Sequence, residues 1–348
     1  MDKKQSAACP DSCSRLGKIG GEAVIEGIMM KAGSDYSLAV RQADGKIRIS
    51  DHKYTSVREK SALLRLPIVR GVVNMVESFL LSYKVLGMSA DAYGEDFEEE
   101  PSKFELWLTK VFGKSLMNVL MVIASILGIA LSFGLFFYLP MAVTKLVDGL
   151  VDGTLGWFKN LIESGIRMTI FVGYIWAVSF MKDIRRTFQY HGAEHKTIFC
   201  YEEGLDLTVE NVRKQRRFHP RCGTTFIFVV LILSVFVSSF VTWDSLAMRL
   251  LIKLPLLPLT VGLGFEFIMY AGKHNNLFTK ILSAPGLWMQ RLTTIEPDDD
   301  QIEIAIAAVK SVLKDQYPDF KTEAVEGEEY RLVVDDKAPM SDAEAENA

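Results

Sequence analysis

Two histidines, His191 and His195, stand four residues apart in the segment HGAEH, and Glu194 directly precedes the second. On a helix, residues three or four positions apart share one face, so all three side chains would point the same way. Two imidazoles one turn apart can bind one zinc ion, and the glutamate can take a proton from the water that the metal activates. The same His-x-x-Glu-His spacing occurs in the inverzincins. The segment predicts a divalent transition-metal cofactor, Zn²⁺ before others, with Glu194 as catalytic base.

A second group of potential ligands follows in the segment RRFHPRCGTTF, which contains His219 and Cys222. Both this segment and HGAEH adjoin apolar segments, so the chain brings them to the same level of a membrane. Either the Cys222 thiolate or the His219 imidazole would make a third zinc ligand. Without a metal, Cys222 would be a small buried residue at a helix start, His219 a loop histidine, and HGAEH a wet helix face.

Glu266 is a further candidate ligand because it lies in an otherwise apolar stretch, PLTVGLGFEFIMYAG. An ionised side chain in such a stretch is costly and is usually paired or functional. Glu266 would complete the metal site, as a distant glutamate does in inverzincins, or it would pair with Arg249 or Lys273. The sequence leaves both alternatives open.

Long apolar segments indicate that these candidates belong to a membrane protein. Hydrophobic residues make up 49% of the 348 positions, and the mean hydropathy is positive although 24% of residues are charged. A helix needs about 20 apolar residues to cross a bilayer core. Residues 115–144 and 222–243 meet this requirement, whereas 165–181 and 250–272 are shorter or interrupted. We therefore expect about four transmembrane helices.

Basic residues indicate the orientation of these spans. The segment 182–221 is rich in lysine and arginine, whereas the loop 145–163 carries only Lys145 and Lys159. Because positive residues accumulate on the cytoplasmic side, we expect the 182–221 loop and both termini in the cytoplasm. The first hundred residues contain no signal-peptide pattern. The net charge of −4 does not suggest a nucleic-acid-binding protein.

The remaining patterns divide the chain into units. Strand-like segments from Ile19 onward, with the turn signal Asp44-Gly45, predict a small β-rich unit. Glu22 and Glu26 are expected on one face of its first strand, either as ligands or in water. The expected units are a disordered tail (1–17), the β-rich cytoplasmic unit (18–61), an amphipathic interfacial helix (62–92), an acidic linker (93–110), a transmembrane bundle (111–290) with the metal-motif loop (182–221), a cytoplasmic amphipathic helix (291–318) and a disordered acidic tail (319–348).

Five segments carry further information: IGGEAVIEGIMMK, LPIVRGV, YHGAEHKTI, HPRCGTTF and PGLWMQRLTTIEPDDDQIEIAI. Through them the chain resembles the YqhQ family of bacterial membrane proteins over about residues 18–310. The resemblance implies an integral protein of the bacterial cytoplasmic membrane. That family carries a general label of predicted metal-dependent enzyme, with no established reaction. The suspected metal-binding segments correspond here to residues 191–195 and 219–222.

Together these patterns predict a mainly α-helical, multi-span membrane protein with a small β-rich N-terminal cytoplasmic unit. We expect a metal-dependent hydrolase of an amide, ester or lipid-linked substrate at the cytoplasmic membrane surface. The alternatives are a membrane transporter or channel, and an adaptor in which a metal only staples the 182–221 loop. The lipid bilayer is the expected partner and nucleic acid is not.

Overall fold

The computed structural model describes residues 15–94, 123, 126–156, 158–239, 246–271, 274, 276–325 and 328–334. Its strands are β1 (Ile19–Val24), β2 (Gly27–Ala32), β3 (Asp35–Arg41), β4 (Ile47–Lys53), β5 (Thr322–Ala324) and β6 (Arg331–Val333). Its helices are α1 (Val69–Gly94), α2 (Ile126–Leu150), α3 (Phe158–Val178), α4 (Lys182–Glu202), α5 (Val209–Arg213), α6 (Gly223–Ser239), α7 (Leu246–Ala271), α8 (Leu277–Thr293) and α9 (Asp299–Val312). Most of the expected 1–17 tail, most of the 93–110 linker and the beginning of the 115–144 span lie outside these residues.

The six strands form one antiparallel sheet in the order β1-β2-β3-β4-β6-β5. β3 and β4 are joined by the predicted turn, where Gly45 has a φ of 88°. Glycine adopts this left-handed conformation without the steric cost of a Cβ atom. The Asp44 carboxylate accepts a hydrogen bond from the Lys46 amide (2.9 Å) within the same turn. The expected N-terminal β-structure is confirmed.

The two C-terminal strands of this sheet lie in the segment expected to be a disordered tail, 319–348, and that expectation is wrong for them. Strands of three residues are too short to show a periodic pattern, and their partner strand β4 is far away in sequence. Side-chain contacts hold them in place. Asp51 of β4 pairs with Arg331 of β6 and accepts a hydrogen bond from Ser311 of α9 (2.8 Å).

The partners of Asp51 change its ionisation. Burial raises the pKa of Asp51, but hydrogen bonds from Lys314, Ser37 and Ser311 and the charge of Arg331 outweigh burial. The pKa of this carboxyl therefore lies below its ordinary value of 3.8. A carboxyl of this kind stabilises the fold above its unfolded pKa, and the contribution is lost as the pH falls through the folded pKa.

We expect Asp51→Asn to release the two C-terminal strands at pH 7, because the amide cannot replace the ion pairs. Proteolysis within 322–333 should become roughly tenfold faster, since cleavage follows local opening. Wild-type protein should open in this way only below pH 3.8. The control is Asp44→Asn in the exposed hairpin turn, which should leave the cleavage rate unchanged. Equal rates for wild type and Asp51→Asn at pH 7 would contradict the prediction.

The sheet lies between two layers of helices. Along β2 successive side chains alternate between its faces, so Ile28 and Met30 point one way and Met29 the other. All three are buried, because α4 and α9 cover the first face and α1 covers the second. Leu81 and Val85 of α1 belong to the core on the second face. The β-rich unit therefore folds together with helices from distant parts of the chain.

The segment expected to form an amphipathic helix, 291–318, contains a core helix instead. α8 ends at Thr293, and α9 begins after Asp298, which forms a capping box with Gln301. Ile302, Ile304 and Ile306 are all buried although they do not share one helical face. The sheet and α4 cover α9 from several sides, so a purely amphipathic pattern is not needed.

Among the described residues, two helices are long and apolar enough to cross a membrane, α2 and α3. The apolar stretches Gly223–Val237 in α6 and Pro255–Ala271 in α7 are shorter. The described part of the chain is mainly helical, as expected. Length and composition thus support membrane association for two of the four expected spans.

The expected interfacial helix, 62–92, begins as a helix at Val69 and packs against α7. A Cβ atom on Gly71 would lie 2.6 Å from Phe265 Cβ, and one on Gly262 would lie 2.6 Å from the carbonyl oxygen of Ile68. The two glycines therefore permit a close approach of the backbones. This crossing joins the sheet layer to the apolar helices.

Candidate metal centre

The helix that carries HGAEH, α4, is buried over residues 192–202. It packs against β1 and α9. A buried charge is costly unless it is paired, and the buried ammonium of Lys196 donates to the carbonyl oxygen of Arg213 (2.9 Å) and to the Glu296 carboxylate. The alternative of a wet helix face therefore does not describe this segment.

His191, His195 and Cys222 offer three potential ligand atoms that lie within 4.8 Å of one another. The two histidines come from successive turns of α4, and Cys222 immediately precedes α6. His191 Nε2 lies 3.2 Å from Cys222 Sγ. His195 is 1% exposed and Cys222 is 9% exposed, whereas His191 is partly exposed. The cluster is therefore accessible from the His191 side.

Two backbone carbonyls determine which nitrogen each histidine offers. His191 Nδ1 lies 2.9 Å from the carbonyl oxygen of Thr293, and His195 Nδ1 lies 2.6 Å from that of Arg217. A carbonyl oxygen only accepts, so each Nδ1 carries the proton and donates it. In the neutral rings both Nε2 atoms then keep a lone pair, which can accept a hydrogen bond from the Cys222 thiol or bind a metal. Metal-binding histidines are typically held in this way by their second nitrogen.

His195 and Cys222 are neighbouring titratable groups, and their surroundings lower the pKa of both. Burial lowers the pKa of His195, and neighbouring His191 acts in the same direction. Burial raises the pKa of Cys222, but the hydrogen bond and charge of His195 and the hydrogen bond of Thr224 bring it below its ordinary value. Zinc binds neutral imidazole and thiolate. The donor set thus fits a soft divalent metal.

Glu194 lies beside the cluster and faces β1, where a Cβ atom on Gly21 would lie 2.9 Å from Glu194 Cγ. Burial raises the pKa of Glu194 to about 8; His191 opposes this shift, and Cys222 and Glu22 add to it. Glu194 can therefore hold a proton near neutral pH. Glu22 in turn accepts a hydrogen bond from Ser82 of α1 (2.6 Å).

Glu26 does not share a strand face with Glu22, contrary to the expectation from sequence. β1 ends at Val24, and Glu26 lies in the turn before β2 with a φ of 47°. Its carboxylate pairs with Arg186 and accepts a hydrogen bond from the Tyr190 hydroxyl (3.1 Å). Glu26 thus ties the sheet to α4, and Glu22 alone of the two lies near the cluster.

His219 is a neighbour of the cluster but not one of its donors. Its ring centroid is 5.6 Å from that of His195. Its Nδ1 accepts a hydrogen bond from the Arg221 amide (3.3 Å), and its Nε2 lies 3.7 Å from a carboxylate oxygen of Glu202. Of the two alternatives for the third ligand, the structure therefore places Cys222 next to the histidines.

Glu266 is engaged elsewhere. It accepts hydrogen bonds from Arg70 Nε (2.7 Å) and Nη2 (2.5 Å) and lies 3.3 Å from the Ile68 amide. It therefore pairs with α1, which differs from both alternatives expected from sequence. The Arg249 side chain and Lys273 lie outside the described residues.

The residues that hold the ligands were not identified from the sequence. The carbonyls of Thr293 and Arg217 leave no side-chain signal, and they lie far from their histidines along the chain. Gly192 did offer a signal, because a glycine inside a helix often marks a close approach. A Cβ atom there would overlap the carbonyl oxygen of Ile295. Gln290, buried beside Cys222, offered none.

Comparison with known proteins places this chain in a family. The family model described as "Protein of unknown function (DUF1385)" matches residues 66–315. The chain is 35% identical over 296 residues to the uncharacterized protein YqhQ of Bacillus subtilis (strain 168), covering 85% of this chain and 92% of that protein. No solved structure matches.

Proposed function

The chain belongs to the DUF1385 family, and we propose that it is a metal-dependent membrane enzyme, a hydrolase that acts at the cytoplasmic surface of the bacterial membrane. One observation carries the proposal. The Nδ1 atoms of His191 and His195 are both bound to carbonyl oxygens, which leaves two Nε2 lone pairs beside the Cys222 thiol. Metal-binding histidines are typically held by their second nitrogen in this way.

The number of donors favours catalysis over a structural role. His191, His195 and Cys222 would hold the metal, and structural zinc sites use four protein ligands whereas catalytic ones use three. Among the described residues the cluster contains three donors. A divalent metal bound there would supply Lewis acidity and lower the pKa of water toward ~7.

Glu194 is the residue proposed to move the proton. Its raised pKa, about 8, shows that burial favours the protonated form. A nearby cation favours the ionised form, so Glu194 would become a base only when the site is loaded. The carboxylate would then take a proton from the attacking water and return it to the leaving group.

The test of this role is Glu194→Gln. We expect the variant to retain its zinc and to lose turnover of an amide, ester or lipid-linked reporter by about 100-fold or more, the usual contribution of a general base. Glu22→Gln removes the neighbouring carboxylate as a matched control and should change turnover less than about tenfold. Unchanged turnover in Glu194→Gln, with zinc bound, would end the assignment.

We further propose that α6 and α7 join α2 and α3 as membrane spans, with α4 and the sheet in the cytoplasm. The basic residues of 182–221 support this orientation. A stripe of exposed apolar residues on α1 supports its position along the membrane surface, with the opposite face on the sheet. The stripe consists of Val76, Phe79, Leu80, Tyr83 and Leu86.

This orientation predicts opposite labelling at two exposed positions. Thr154→Cys, between α2 and α3, should react with a membrane-impermeant maleimide in intact cells. Lys46→Cys, in the β3–β4 turn, should react only after the cells are opened. The unsubstituted protein provides the background. The reverse labelling pattern would show that the topology is opposite to the one proposed. Labelling of both positions in intact cells would show that the two positions lie on the same side of the membrane, which contradicts the proposal.

A transporter remains the second candidate, on one specific observation. Arg167 and Glu163 pair within α3 (2.9 Å), and Arg167 Nε donates to the carbonyl oxygen of Phe136 (2.9 Å) in the π-helical turn Gly134–Tyr138 of α2. Charged residues in a membrane span often mark a pathway. The test is zinc flux into proteoliposomes that contain the protein. Flux in wild type that is lost in Glu163→Gln would favour transport over hydrolysis.

A further inference from the structure

Cys222 lies in the short connection between α5 and α6, so its position depends on what holds that connection. One face of α8 lies against it. Gly286, Gln290 and Thr293 are spaced by four and three residues and therefore share this face. Each of them contacts either the cysteine segment or His191.

Gln290 makes the most extensive of these contacts. Its side chain is 0% exposed. Its Oε1 accepts a hydrogen bond from the His219 amide (2.7 Å), and its Nε2 donates to the His219 carbonyl (2.7 Å) and to the Thr225 hydroxyl (2.8 Å). His219 and Thr225 stand three residues before and after Cys222. The Gln290 side chain is thus hydrogen-bonded to the chain on both sides of Cys222.

The other two positions, Gly286 and Thr293, link α8 to the start of α6 and to His191. A Cβ atom on Gly286 would lie 2.7 Å from Thr225 Cα, so this glycine lets α8 approach the start of α6. One turn beyond Gln290, the Thr293 carbonyl accepts the proton of His191 Nδ1 (2.9 Å). Two positions of one helix, Gln290 and Thr293, thus contact the cysteine segment and His191 and help to set the distance between His191 Nε2 and Cys222 Sγ.

We infer that Gln290 is a positioning residue of the metal centre: it holds Cys222 at the distance from His191 that lets both bind one ion. The inference rests on the proposed metal site. Loss of the Gln290 hydrogen bonds would free the cysteine segment while the two histidines keep their carbonyl partners. Hydrogen-bond partners behind metal ligands typically contribute about 10–100-fold to affinity.

The test is Gln290→Met, which keeps the length of the side chain and removes all three hydrogen bonds. Full-length protein in detergent is titrated with Co²⁺, and the thiolate-to-cobalt charge-transfer absorption is recorded. We expect affinity to fall about 10–100-fold and the thiolate band to weaken relative to the histidine-dependent visible bands. Gln301→Met is the matched control, because Gln301 is equally buried (1% exposed) but accepts its hydrogen bond from the Asp298 amide at the start of α9 (3.0 Å). It should leave both readouts at the wild-type level.

A second readout needs no metal. The alkylation rate of Cys222 by iodoacetamide, followed by peptide mass spectrometry after chelation, should rise about tenfold in folded Gln290→Met and stay unchanged in Gln301→Met. If wild type binds no Co²⁺ and Gln290→Met still raises this rate, the proposed function fails and the role of Gln290 in holding Cys222 stands. If wild type binds Co²⁺ and Gln290→Met matches it in affinity, spectrum and alkylation, the inference is overturned and the metal site stands.

Discussion

Cys222→Ala is expected to leave the purified protein without metal, whereas wild type is expected to bind about one zinc ion per chain. Loss of a hydrogen bond to a metal ligand can weaken metal binding by about 100-fold. Loss of the ligand itself should weaken metal binding further. The physical reason is that two imidazoles alone cannot replace the charge of a buried thiolate. The measurement is metal content by mass spectrometry on detergent-purified protein made without a histidine tag, with His191→Ala and His195→Ala beside it.

His219→Gln is the matched control for this prediction, because the sequence alone admits either residue as third ligand. His219 is buried near the cluster, but its nitrogens face Arg221 and Glu202. We expect the variant to keep its zinc. Retention of zinc by Cys222→Ala together with its loss in His219→Gln would overturn the ligand set. Absence of metal from reconstituted, folded wild type would reject the site altogether.

Gly192→Ala is expected to destabilise the protein by at least about 1–3 kcal/mol, the usual cost of overpacking a core. The added Cβ atom would overlap the Ile295 carbonyl oxygen and lie 3.4 Å from Pro297 Cδ. The Ile295 amide also donates to the Phe188 carbonyl of α4 (2.9 Å), so the two backbones cannot separate freely. Because Thr293 lies just before this contact, zinc affinity should fall as well.

The control for Gly192→Ala is Gly87→Ala. Gly87 is an exposed helical glycine of α1, and an added Cβ atom would contact nothing within 4 Å. This variant should be neutral or gain up to about 1 kcal/mol, since alanine is the better helix former. Thermal unfolding and zinc content would be measured for both variants. A Gly192→Ala protein as stable as wild type would show that α4 and the 293–297 segment are not tightly packed.

Local patterns predicted most of the local structure, although the expectation that Glu22 and Glu26 share a strand face was wrong. The Asp44-Gly45 signal marks the β3–β4 turn, because the required left-handed conformation depends on one residue. The apolar segments 165–181 and 222–243 overlap α3 and α6, because helix formation depends on composition over a short window. The spacing of His191 and His195 placed both on one face of α4 for the same reason.

Three expectations failed where the outcome depended on distant residues. The tail expected to be disordered contributes β5 and β6, because Asp51 and Ser311 hold Arg331. The expected amphipathic helix is buried as α9, because the sheet covers it. Glu266 pairs with Arg70, because α1 crosses α7 at two glycines that are far apart in the chain.

The features of the candidate site also divide into those that depend on local sequence and those that depend on distant residues. The sequence by itself determined which residue types were available, two histidines one helical turn apart with a glutamate between them. Only the tertiary structure decided that Cys222 and not His219 joins them, that α4 is buried, and that each Nδ1 carries a proton. Those outcomes depend on carbonyls and side chains brought in from α8 and from the 213–222 connection. The spacing of residues determines which face of one helix their side chains share, whereas the position of a neighbouring helix depends on the packing of the whole chain.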